Sequence, residues 1–321
     1  MTKIVKADPS GFCFGVKSAL ELTEKVISEN PDKRIYTLGQ LIHNKGVTDR
    51  LKEKGLHIIE SLEECSPGDI IIVRSHGAPA DFFKKAADFG VDIIDATCPF
   101  VKKIHELVKN ASEVGQTVVV VGNRNHPEVT GIVGWCSNEQ NVTVVETVED
   151  AYSIRGEDII IVAQTTITKQ LFDKICSVIR ENNEFVRIQN TICNATSERQ
   201  NATSVLAQIA DFMVIIGGRN SSNSRKLFDI SQKYCNNTIF IENINELSLK
   251  NLSKYSRIGI AAGASTPVSD IEEVISSMSE VITERNEMED YLEAIEKSLR
   301  LPRLGEIVEG TIHQVTDKEI I

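Results

Sequence analysis

The chain of 321 residues lacks any stretch approaching 18 uninterrupted apolar residues, which excludes a helix that spans a membrane. It also lacks a C-x-x-C pair, so zinc-finger ligation has no support. Positive charge is scarce. The 35 Lys and Arg face 46 Asp and Glu, and the net charge of −11 argues against non-specific nucleic-acid binding by the whole chain. A small anionic ligand stays compatible, because helix ends and local donors act against the global sign. The opening residues, MTKIVKADPSGFCFGV, lack the apolar run of a signal peptide and read as a first strand, so a cytoplasmic location is expected. The rest is ordinary for a globular chain, 41% hydrophobic and 25% charged, and long enough for two or three domains.

Cysteine is present in an odd count of seven: Cys13, Cys65, Cys98, Cys136, Cys176, Cys193 and Cys235. In a large chain without export signals this is no disulfide framework; free, metal-binding or catalytic thiols fit better. Short Val/Ile-rich runs, as in DIIIVRSHG, TVVVVGNRNHP, DIIIVAQTT, MVIIGGRNSS and RIGIAAGAS, alternate with amphipathic helical stretches. That pattern predicts α/β units on parallel sheets.

The units repeat. Aligning IIIVRSHGAP…IDATCPFVKK…VVVVGNRNHPEV with IIIVAQTTIT…QNTICNATSER…MVIIGGRNSSNS puts Cys98 on Cys193 and Gly122-x-Arg124-Asn125-His126 on Gly217-x-Arg219-Asn220-Ser221, both at an offset of 95. His76 then falls near Thr165. A more diverged copy starts at the N-terminus, where Cys13 matches Cys98 and Gly39-x-x-x-His43 matches Gly122-x-x-x-His126, at offsets of 85 and 83. Ser265 in IAAGASTP takes roughly the place of His76 and Thr165. Ligands of parallel α/β units bind beyond the carboxyl ends of the strands. Three units about a pseudo-threefold axis would therefore bring three cysteines and two triplets of polar groups to one cavity.

Each of these cysteines is expected at a helix start. In DATCPFVKKIHELV, Pro99 suits the first helical turn, and Cys98 meets the helix N-terminus, which favours thiolate. Taken alone, Cys98 reads equally as a small residue in a tight turn. Three converging thiolates need a cation, and soft sulfur suits zinc or an iron–sulfur cluster; spacing along the chain does not separate the two. Three ligands rather than four leave one coordination position open.

Histidines at strand ends are usually surface groups, but His43, His76 and His126 share repeat positions, which points to anion binding. GGRNSSNSRKLF follows an apolar strand and opens a helix, so Ser221, Ser222 and Asn223 read as an N-terminal anion cradle rather than a flexible linker, with Ser265 as a further donor. Glu128, two residues after His126, is either a helix-start cap or, as the one carboxylate in these motifs, a proton donor to a ligand whose hydroxyl Thr165 or Thr166 would hold.

Together GFCFGV, DATCPFV, HPEV, QTT, TICNAT with Glu198-Arg199-Gln200, GGRNSSNS and GAS resemble the 4-hydroxy-3-methylbut-2-enyl diphosphate reductases, which end the methylerythritol phosphate pathway of isoprene biosynthesis. The resemblance covers about Met1 to Ile282. It implies an oxidoreductase of α/β fold with three αβα domains in pseudo-threefold arrangement around a central iron–sulfur site, at 14–97, 98–192 and 193–282, the last taking in strand 1–13. It further implies one 4Fe-4S cluster on Cys13, Cys98 and Cys193, whose open iron binds the substrate hydroxyl. Diphosphate would be bound by His43, His76, His126, Ser221, Ser222, Asn223 and Ser265, with Glu128 as proton donor and Thr165 orienting the alcohol. Electrons would arrive singly from a ferredoxin or flavodoxin, and the products would be isopentenyl and dimethylallyl diphosphate. An iron–sulfur hydro-lyase, which needs no reductant, and an iron–sulfur sensor, which shows no turnover, are the competing uses of the same residues.

Beyond Ile282 the charge-rich TERNEMEDYLEAIEKSLRLPR predicts a helical linker over 283–302. The segment 303–321, RLGEIVEGTIHQVTDKEII, resembles the start of an OB-fold RNA-binding repeat, too short to close a barrel, which raises a fusion with an RNA-binding module or an unrelated hairpin as alternatives.

Overall fold

The computed structural model describes residues 2–299 and Ile307; the expected incomplete RNA-binding repeat at 303–321 therefore lies almost wholly outside the described residues. Val/Ile runs form strands because β-branched side chains fit a pleated surface covered on both faces. Val118 to Val121 and Ile159 to Ala163 are at most 2% exposed. Among the described residues twelve strands result: β1 Lys3–Lys6, β2 Ile35–Leu38, β3 Leu56–Ile59, β4 Ile70–Val73, β5 Asp92–Asp95, β6 Thr117–Val121, β7 Val142–Val145, β8 Ile159–Ala163, β9 Val186–Ile188, β10 Phe212–Ile216, β11 Thr238–Ile241 and β12 Arg257–Ala262.

They form three four-stranded sheets, β3-β2-β4-β5, β7-β6-β8-β9 and β11-β10-β12-β1. Every pairing is parallel. Each sheet has the same order when its strands are numbered along its own unit, and in the third the fourth strand is β1 from the chain's beginning. The parallel α/β architecture read from the sequence repeat is the observed one. Its register follows the buried runs: β10 lies on β12 through Val214↔Ile260 and Ile216↔Ala262.

Helices cover both faces, as parallel crossovers require. Those that position the site are α1 (Phe14–Glu29), α4 (Pro99–Glu113), α5 (Pro127–Val133), α8 (Asn194–Ala207) and α9 (Ser222–Gln232). The helix α10 runs unbroken over Val268–Leu299. The charged segment expected as a helical linker from residue 283 is helical through Leu299, continuous with the first part of α10, whose Ile271, Val274, Met278 and Ile282 pack into the third sheet's core. The apolar stripe stops while the helical pattern continues, so loss of core spacing marked the end of burial rather than of the helix. Among the described residues no helix is long and apolar enough to cross a membrane.

A candidate active site where three helix starts converge

Residues at the carboxyl ends of the strands meet in one cavity. Its lining includes all twelve residues singled out from the sequence: Cys13, Cys98 and Cys193; His43, His76 and His126; Glu128 and Thr165; Ser221, Ser222, Asn223 and Ser265. The repeat explains why. His43, His126 and Ser221 each lie five residues past the ends of β2, β6 and β10, at 38, 121 and 216. Equal connections on equivalent strands deliver side chains to equivalent places.

Each cysteine is the N-cap of its helix, Cys13 for α1, Cys98 for α4 and Cys193 for α8, and none of the three makes a side-chain cap bond. The backbone fixes them alike. Cys13 N–H donates to Ala264 O (3.1 Å), Cys98 N–H to Ser75 O (3.0 Å) and Cys193 N–H to Thr165 O (3.0 Å). Each bond ties a thiol-bearing helix start to the loop that follows β12, β4 or β8. All three thiols are free and half-buried.

Gly15 lets two of these helix starts approach. A Cβ there would stand 2.6 Å from Cys98 Sγ and 3.1 Å from its Cβ. Gly15→Ala is therefore expected to force Cys98 away from α1 at a cost of about 1–3 kcal/mol. The check is thermal denaturation, whose midpoint should fall; an unchanged midpoint would show that the contact relaxes freely.

The expectation that the helix terminus makes Cys98 a thiolate is not met. Burial pushes its pKa up, and although the Phe100 and Val101 backbone N–H groups favour the anion, Cys13 and Cys193 oppose it. Desolvation outweighs the helix end, and like groups add to it. The sulfurs need a cation to ionise, and a centre bonded to all three supplies one. Among the described residues the metal-ligating atoms found within 4.8 Å of one another belong to the histidines and not to this trio.

Across the cavity, the ring centroids of His43, His76 and His126 stand 4.8, 6.1 and 5.5 Å apart. Burial holds all three below the ordinary imidazole range, His126 down to about 4 and His76 well below it, so they are neutral near pH 7. His126, the N-cap of α5, accepts the Glu128 N–H on Nδ1 (3.2 Å), which leaves its proton on Nε2. That ring offers the cavity a donor, as an anion requires, although the triad's spacing alone would also admit a metal ion. His43 Nε2, His76 Nδ1 and both polar atoms of the Asn223 side chain are buried without a partner. Each such group costs about 1–3 kcal/mol until it is bonded, so their convergence marks a polar ligand.

Glu128 is 2% exposed and is the one carboxylate of the lining. Burial raises its pKa to about 7, against two bonds that favour the anion: Thr165 N–H to Oε1 (2.6 Å) and Thr165 Oγ1 to Oε2 (2.9 Å). Thr165 thus holds Glu128 directly. Ser221 caps α9 by accepting the Ser224 N–H, and Ser265 Oγ donates to His43 O.

Sequence reading missed Gln164, fully buried, whose Oε1 accepts the Asn123 N–H while its Nε2 donates to Thr166 Oγ1, which in turn pairs with Ser222 Oγ (2.9 Å). An amide directly after the apolar IIIVA was the available signal. Thr196 and Phe100, both in first helical turns after a cysteine, also line the cavity and went unread.

Parallel sheets that deliver an acid, neutral imidazoles and free thiols to one cavity define an enzyme of the α/β class. The chain belongs to the LytB protein family, whose family model matches residues 4–279. It is 42% identical to a Caldanaerobacter subterraneus subsp. tengcongensis protein named 4-hydroxy-3-methylbut-2-enyl diphosphate reductase, over 86% of this chain and 96% of that one. A Clostridium acetobutylicum protein of the same name is also 42% identical over the whole chain, which spans half of that longer relative. A solved structure titled as (E)-4-hydroxy-3-methyl-but-2-enyl diphosphate reductase, the terminal enzyme of the non-mevalonate pathway, is 43% identical with a TM-score of 0.65 over 87% of this chain and all of that one. The Plasmodium falciparum E-1-hydroxy-2-methyl-but-2-enyl-4-diphosphate reductase matches at TM-score 0.81 and 26% identity, over 86% and 87% of the two chains.

Proposed function

We propose that this protein reduces (E)-4-hydroxy-3-methylbut-2-enyl diphosphate to isopentenyl and dimethylallyl diphosphate. Two electrons and two protons enter, the allylic C–O bond breaks, and one water leaves. The observation that carries this reading is the presence, in the lining of one cavity, of three unbonded thiols and a set of neutral, partner-seeking polar groups. The relatives' names support it.

Cys13, Cys98 and Cys193 would hold a 4Fe-4S cluster. Bound there, the cluster supplies electrons one at a time from a ferredoxin- or flavodoxin-type donor and a Lewis-acidic iron for the alcohol. His43, His76, His126, Ser221, Ser222, Asn223 and Ser265 would bind the diphosphate and so set the hydroxymethyl end toward the sulfurs. With a pKa of about 7, Glu128 carries a proton in a large share of molecules at neutral pH and releases it readily, which suits a general acid. Thr165, bonded to both Glu128 oxygens, would pass that proton to the leaving oxygen and fix the acid's position.

Anaerobic purification with iron and sulfide analysis, followed by assay with the allylic diphosphate and a reduced dye, tests the assignment. Bound iron and sulfide with reductant-dependent turnover are expected. Turnover without reductant would point to a hydro-lyase, and a bound cluster without turnover to a sensor.

A further inference from the structure

The cavity poses a problem of charge. Its lining contains no Lys or Arg, and its histidines are neutral through burial, yet the proposed ligand carries a diphosphate. The net charge of the whole chain is −11, so no general positive field helps. Helix N-termini supply partial charge, and Arg219, Arg225 and Lys226 line the adjoining pocket beside Ser221 and Ser222; a full counter-charge on the histidine side comes from behind the lining.

Arg74 stands there. It follows β4 directly, two residues before His76, in a turn closed by Gly77 N–H donating to Arg74 O (3.0 Å). Its half-buried side chain lines a pocket with Asn125, Pro127 and Thr130, behind the turn that presents His126. Gly39, four residues before His43, makes room for it. Its φ is +66°, and a Cβ there would come within 3.0 Å of Arg74 Nη1. The same guanidinium acts on His43, His76 and His126 together. Glu60 is the carboxylate whose field reaches Arg74, but the two form no ion pair among the described residues.

We infer that Arg74 is a positioning residue for the diphosphate: a fixed cation behind the histidine triad that balances the ligand's charge while the neutral rings donate the hydrogen bonds. The inference rests on the diphosphate reading of this cavity. It divides labour between two kinds of group. Neutral imidazoles supply direction at small desolvation cost, and a guanidinium that does not ionise away supplies charge at any working pH. At several ångströms and an effective dielectric of about 20, one such charge changes anion affinity by about tenfold or more.

The test uses the anaerobically purified, cluster-loaded protein and two variants, Arg74→Met and Arg74→Lys. Inorganic diphosphate is titrated by calorimetry, and KM and kcat are measured with the allylic diphosphate. Arg74→Met is expected to weaken inorganic diphosphate and raise KM by about tenfold or more, with kcat changed much less, while Arg74→Lys recovers most of the loss. A Met variant that binds diphosphate as tightly as wild type overturns the inference. If the Met variant does not fold, a folded Lys variant whose affinity falls more than tenfold overturns it instead, since charge is then not the determinant. Wild-type protein that binds no diphosphate at all, whatever stands at position 74, overturns the functional reading beneath it.

Discussion

Glu128→Gln is expected to lower kcat by about 10²-fold or more while iron content and diphosphate binding stay near wild type, because it removes one transferable proton and little else. The amide can still accept the Thr165 N–H through its oxygen, so the loop geometry of the α5 start is retained. Near wild-type turnover would remove Glu128 from the reaction. The same variant carries a second, independent signature. The folded carboxyl titrates at about 7 rather than 4.5, so the fold prefers its protonated form. Stability from that preference is fully present below pH 4.5 and is lost as pH rises through 7. At pH 8 the buried carboxylate costs on the order of 3 kcal/mol relative to pH 4.5. Glu128→Gln, which does not ionise, should therefore melt above wild type at pH 8 and near it at pH 4.5. An equal difference at both pH values would mean that the carboxyl is not raised.

Loss of the proposed metal centre is the other large effect. Cys98→Ala is expected to strip most bound iron and sulfide and with them all turnover. Changes to groups behind a metal ligand already cost about 10- to 100-fold in affinity, and removing a ligand exceeds that. Cys98 touches Gly15, and its thiol feels those of Cys13 and Cys193, so all three sites should fail alike. The distal cysteines offer the control. Cys176 is buried in the second sheet's core with its pKa pushed up to about 12, and Cys176→Ala should keep full iron at some cost in stability. Equal iron in Cys98→Ala and wild type would end the ligand assignment.

Much of this was legible along the chain because the protein is built from one unit used three times. The apolar runs before His76, His126 and Thr165 are strands buried on both faces, and such strands announce themselves as unbroken Val/Ile. His43, His126 and Ser221 could be aligned because equal strand-to-helix connections place them equally, and the cysteines because each stands at a helix start. What misled the reading was local reasoning about charge. A helix start at Cys98 suggested a thiolate, and only the packed structure shows burial and two neighbouring thiols turning the balance. The charged run after Ile282 read as helical, and α10 runs through it to Leu299 in one piece with the buried turns before it.

Sequence alone determined which residues could do chemistry, since a thiol opens a helix in each unit and His43, His126 and Ser221 stand at one fixed step after their strands. Tertiary structure decided how those groups behave. It closed the third sheet with β1 and left donors of His43, His76 and Asn223 unpartnered. It also pressed Thr165 against Glu128 and set Arg74 behind the imidazoles. The physical reason is that connectivity repeats along a chain and can be read there. Burial and electrostatic fields instead sum over neighbours that meet only when the three sheets are assembled.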